Sequence, residues 1–144
     1  MTHKRRWVAG VSAALAVAAG IVAARVAAGP EQIAFPQDYR QWQKYGAVDR
    51  HYTKQYRELY ARPEVVKAVR EGRPVPDGAV LVMEINAAQL DDKGAPLRDA
   101  AGRFVKGKPI GVTVMEKRKG WGAAVPEAWR NGDWQYASFL PDGG

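Results

Sequence analysis

The sequence predicts a single α+β domain dominated by an antiparallel β-sheet with short flanking helices, preceded by an apolar signal or anchor segment. Three observations predict it. The chain has 144 residues, enough for one core and too few for two. Its apolar runs 79–85 and 110–115 and the alternating run 134–140 are short and separated by Gly, Pro and Asp turn signals. Strands and helical patterns do not alternate regularly, so a parallel βαβ sheet is not expected.

The leader comes first. His3-Lys4-Arg5-Arg6 precedes an uncharged stretch, 7–24, in which Ser12 is the one polar side chain, and Val26-Ala27-Ala28 offers small residues for cleavage before Gly29. Residues 1–28 therefore read as a signal peptide or, left uncleaved, as a membrane anchor through 7–24. The expected location is periplasmic, or tethered to the inner membrane if the leader stays attached. Four of the 22 basic residues lie in this leader and none of the 15 acids does, so the remainder carries 18 against 15. That ordinary balance gives no support to a nucleic-acid partner.

Within the domain, Pro36 with Tyr39, Trp42 and Tyr45 at three-residue spacing predicts a helix over 36–45 stopped by Gly46. Tyr52, Tyr56 and Tyr60 at even spacing predict an exposed or edge strand. Val65, Val66 and Val69 predict a helix over 63–71, ended by Gly72. Pro74 to Gly78 forms a turn that launches the strand 79–85. The part past the leader shows no internal repeat; residues 91–107 read as a long polar excursion, 110–115 as a strand, 117–122 as a turn, and 134–140 as the last strand.

The residue inventory excludes much chemistry. There is no cysteine, hence no disulfide, thiolate metal site or cysteine nucleophile. Past the leader His51 is the one histidine and Ser138 the one serine, which leaves no multi-histidine metal site and only a remote Ser-His pairing. Lys119-Gly120-Trp121-Gly122 lacks the spacing of a phosphate loop. His51 reads more simply as solvated beside Arg50. Glu84, inside an apolar run, is costly to bury alone and is expected to meet an Arg or Lys in a structural ion pair. Four tryptophans in the domain suit either a packed core or a flat apolar cofactor pocket.

Four blocks then carry a resemblance: Ala34-Phe35-Pro36-Gln37-Asp38-Tyr39-Arg40-Gln41-Trp42; Pro76-Asp77-Gly78 through Met83-Glu84; Val114-Met115-Glu116-Lys117 leading to Gly120-Trp121-Gly122; and Asn131-Gly132-Asp133-Trp134-Gln135-Tyr136-Ala137. In order and spacing they resemble the cytochrome P-460 family, over a domain of residues 34–144. The resemblance implies a periplasmic sheet domain, usually a homodimer, carrying haem c on a Cys-x-x-Cys-His beyond the last strand. It also implies a lysine cross-linked to haem in members that oxidise hydroxylamine. Here Met83 stands at that lysine's position and Thr113 at about that of a pocket carboxylate. The resemblance therefore does not favour hydroxylamine oxidation, and no catalytic residue or metal ligand is assigned. Met83, Thr113 and Met115 are the candidates to line a haem pocket. The expectation is a member incomplete before the haem-attachment motif, whose full form is a c-type haem protein for electron transfer or for binding a small nitrogen oxide or gas, with a redox partner. No covalent haem is possible in this chain. A haem-free exported binding or structural domain, and a membrane-tethered interaction domain, are the alternatives.

Overall fold

The computed structural model describes residues 33–144; the expected leader, 1–28, lies outside the described residues. Five strands run β1 (Gln43–Arg50), β2 (Gln55–Ala61), β3 (Val80–Ala88), β4 (Lys106–Lys117) and β5 (Trp134–Phe139). They pair in chain order, every neighbour antiparallel, as a meander. The one α-helix among the described residues, α1 (Pro63–Arg70), follows β2 and starts at Pro63, whose missing N–H costs nothing in a first helical turn.

The sheet-dominated α+β expectation holds, but the helix over 36–45 does not form. Only Tyr39–Gln41 makes a 3-10 turn, and the chain is already in β1 at Gln43. In β1, Lys44 pairs with Tyr60 and Gly46 with Leu59, so Tyr45 is the extra residue of a β-bulge. Trp42 and Tyr45, three apart, take opposite faces of the extended chain, Trp42 against the main core and Tyr45 on the other side of the sheet. The tyrosine strand also differs from expectation. Tyr52 lies in a 3-10 turn (His51–Thr53), while β2 sits between β1 and β3 with Tyr60 buried.

Contrary to expectation, the excursion contains a short structural repeat. Asp91 and Asp99 each accept two backbone N–H bonds through Oδ1, from Lys93 and Ala95 and from Ala101 and Arg103. Each also closes a turn onto a glycine, Gly94 or Gly102. Leu97 N–H bonds Gln89 O and Val105 N–H bonds Leu97 O, so equivalent positions stack as successive rungs.

Strand alternation divides the side chains between two faces. On one, Ile33, Tyr39, Tyr60, Val82, Val112, Val114 and Trp121 form the main core, with Phe35, Trp42 and Phe139 against it. On the other, α1 covers only one end, where Val65 and Val66 pack with Ala61, Ala79, Val75, Leu81 and Trp134. Val69 lies on the same side as Val65 and Val66, as expected, but stays largely exposed.

Candidate functional site

The covered face holds a buried ion-pair network. Glu58 and Glu84 are directly opposite on β2 and β3, so their charges repel unless a cation intervenes. Lys106, at the start of β4, supplies it: its Nζ lies 2.7 Å from Glu58 Oε2 and 2.6 Å from Glu84 Oε1. Lys44 Nζ adds a 3.0 Å contact to Glu58, and Arg40 Nε one of 3.0 Å to Glu84. Tyr39 donates its hydroxyl to Glu84 at 2.6 Å, Tyr60 to Glu58 at 3.1 Å, and Asn86 its amide to Glu84 at 3.3 Å. Burial by itself pushes the Glu84 carboxyl up, yet hydrogen bonds from Lys106, Tyr39 and Asn86 outweigh it and hold the group down at about 2. Glu58 is likewise held below its usual range, because the bonds from Lys106 and Lys44 overcome its burial. Burial opposes the Lys106 charge, but the two carboxylates raise that group to about 12. The ion pair expected for Glu84 is therefore present, with more partners than one Arg or Lys. Both carboxylates are buried and every charge is paired, while Lys106, Lys44 and Arg40 keep about half of their side chains in water, a structural arrangement.

The other face is open beyond α1. Met83 of β3 pairs with Thr113 of β4, and Leu81 with Met115, which sets all four side chains on this face. With Tyr45, Leu59 and Tyr136 they line a hollow of about 160 Å³. The three residues expected to line a pocket, Met83, Thr113 and Met115, are thus brought together. A second hollow of about 280 Å³, between α1 and the sheet, shares Tyr45 and Leu81 with the first and is lined by Val65, Val66, Val69 and Val75 as well. Neither hollow has a carboxylate or imidazole in its lining. Burial raises the Tyr45 phenol, which stays neutral. Tyr45, Leu59 and Tyr136 were not foreseen. Their strands' alternation was a usable signal for Tyr136, whereas the bulge hid Tyr45.

Arg57 of β2 extends over this face beside Met83, its Nη1 3.7 Å from the thioether sulfur. Its Nε and Nη2 donate to Gln55 Oε1 at 3.1 and 2.7 Å. His51 is elsewhere. Its ring meets Phe104 edge-on, with centroids 4.9 Å apart, and it lines neither hollow.

These donors decide what the face is able to hold. Covalent haem c needs two cysteine thiols, and the sequence has none, so these residues do not fit thioether attachment. A haem held by contact alone fits better, because an apolar wall with two polarizable thioethers suits a flat ring and Met sulfur is an established axial ligand. Among the described residues no group of three or more His, Cys, Asp or Glu side chains is placed to hold a metal ion directly. Nor is any helix there long and apolar enough to cross a membrane.

No curated protein matches the chain in sequence. A family model described as Cytochrome P460 does match, over residues 36–144, which takes in every strand of the sheet and both hollows. The resemblance read from the four sequence blocks agrees with that match, and the chain belongs to the cytochrome P460 family.

Proposed function

We propose that this is an exported cytochrome P460-type domain whose open sheet face forms one wall of a haem pocket, serving electron transfer or the binding of a small nitrogen oxide or gas. The observation that carries this reading is the convergence of Met83, Thr113 and Met115 on one apolar hollow free of acids. Met83 and Met115 would lie against the ring and exclude water from it, with Leu59 and Tyr136 beside them. Haem, when bound, supplies one-electron chemistry and an iron that takes diatomic ligands. Thr113 is the one hydroxyl of an aliphatic side chain in the lining, and it donates or accepts a hydrogen bond without taking a proton at neutral pH. Oxidation of hydroxylamine requires proton removal, and no lining group is a base suited to it. Export follows from the leader, and a redox partner and a second copy of the chain are the implied partners.

The test is titration of the full chain, recovered from the periplasm or the membrane fraction, with haemin. Saturating Soret absorbance at one haem per chain, released completely by acid-acetone extraction, is the expected result. An unchanged haemin spectrum together with unquenched tryptophan emission would overturn it. A second reading is favoured by one observation: 160 Å³ is small against the roughly 300–1,000 Å³ of ordinary ligand pockets. On that reading the domain keeps the fold and binds without haem, and the failed titration would support it.

A further inference from the structure

The acids on the five strands, Asp49, Glu58, Glu84 and Glu116, share the covered face, and each has a cation within ion-pair distance: Arg103, Lys44 with Lys106, Arg40 with Lys106, and Arg118. The open face has the opposite composition. Among the described residues its strands carry Arg50, Arg57 and Lys117 and no carboxylate, and α1 adds Arg70 to the lining of the larger hollow. Lys117 is used locally, donating to Val75 O. Among the described residues neither Arg50 nor Arg57 has an ion-pair partner.

The two guanidinium groups are neighbours. Arg50 pairs with Gln55 and Val48 with Arg57, which makes Arg50 and Arg57 diagonal partners on one face, about 7–8 Å apart at Cα. Gln55 orients Arg57, while Arg57 is only half exposed. Burial and the Arg50 charge both act against the Arg57 cation. Arg57, partly desolvated beside Met83 of the smaller hollow, and its like-charged neighbour Arg50 are unfavourable together without an anion. The carboxamide that holds Arg57 still leaves N–H donors free for a bidentate acceptor.

We propose that Arg50 and Arg57 are the anion-receiving end of the open face, taking the carboxylates of a flat, apolar ring that lies over Met83, Thr113 and Met115. This rests on the haem-wall reading and specifies its chemistry: the occupant is a porphyrin carboxylate, held at its acid edge by guanidinium.

Metal-free protoporphyrin and its dimethyl ester separate the charge contribution from ring contact, since neither has a metal for axial ligation. Tryptophan quenching of the full chain should show the diacid binding about tenfold tighter than the ester, the ratio expected from one charge-assisted hydrogen-bonded contact. The ratio should fall to about one in the Arg50→Gln/Arg57→Gln double variant, and Lys93→Gln should leave it unchanged. Circular dichroism of each variant verifies that the sheet is intact. Equal binding of diacid and ester to the wild-type chain overturns the anion-receiving role and leaves the wall standing. No binding of either overturns both. Decanoate binding as tightly as the diacid, with the same arginine dependence, overturns the ring as occupant.

Discussion

The two faces of the sheet come from the same five strands and treat charge in opposite ways. On the covered face Glu58, Glu84 and Lys106 lie in direct contact, with tyrosine hydroxyls satisfying the remaining acceptors. On the open face apolar and thioether side chains lie beside the guanidinium groups of Arg50 and Arg57, which have no ion-pair partner among the described residues. A buried charge with its partners in place stabilises one geometry and has nothing left to offer a ligand. A half-buried charge without a partner adds little to folding and keeps its capacity to bind. Stability and binding are thus divided between the faces, and substitutions on each should have separable effects.

The largest effect is expected at Glu84. Glu84→Ala removes a buried acceptor from Lys106, Arg40, Asn86 and the buried Tyr39 hydroxyl, and since the two half-exposed cations are able to turn to water it should cost about 2–4 kcal/mol in denaturant unfolding. A cost under about 1 kcal/mol would mean that the network contributes no more than an exposed ion pair. The same carboxylates set the acid limb. Glu84 is ionised down to about pH 2 in the folded chain, against 4.5 as its ordinary value, and Glu58 shifts in the same direction. Their contribution is therefore complete above about pH 5 and is lost as pH falls through 4.5 toward 2. Thermal midpoints should decline across that window, and the decline should be shallower in Glu84→Gln. The alkaline limb has the opposite sign: with Lys106 raised from 10.5 to about 12, stability is lost as pH climbs through that interval.

Tyr39→Phe is smaller. It removes one hydroxyl from a charged acceptor that keeps three other donors, and should cost about 2 kcal/mol. A double-mutant cycle with Glu84→Gln isolates the pair, and coupling near zero would break the description of the covered face as one connected network.

How much of this was legible in sequence depended on whether the signal was local. The helix at Pro63, the strands over 79–85, 110–115 and 134–140, and the need of Glu84 for a partner were readable, because each rests on spacing within a few residues. Which residues would meet Glu84 was not. Glu58, Lys106 and Tyr39 lie 26, 22 and 45 positions away, and only the register of β2, β3 and β4 unites them. The β1 region misled for a specific reason: Trp42 and Tyr45, spaced as on one side of a helix, take opposite faces of an extended chain. The convergence of Met83, Thr113 and Met115 was suggested by resemblance. The absence of acids around them required knowing which face each strand residue takes.

Met83→Lys tests the open face with the smallest expected stability change. The new ammonium would replace a thioether 3.7 Å from Arg57 Nη1, exchanging a weak acceptor for a like charge. On a half-exposed sheet surface that repulsion and the lost apolar contact should total about 1 kcal/mol, well below the Glu84→Ala cost. Adding Arg57→Gln should return about half of it, because the repelling partner is gone while the apolar loss remains. A full Glu84-like cost would show that the open face is as tightly packed as the covered one. Expressed beside a haem-maturation system, the same variant should yield no Soret absorbance that survives denaturation. The lysine would restore an amine at the cross-linking position implied by the family resemblance. Thioether attachment to hold a ring beside it still requires cysteine sulfur, and the 144 residues contain none. Absorbance persisting in denaturant would show that the amine alone is able to capture the ring, and that the wall formed by Thr113 and Met115 holds it in place without a covalent anchor.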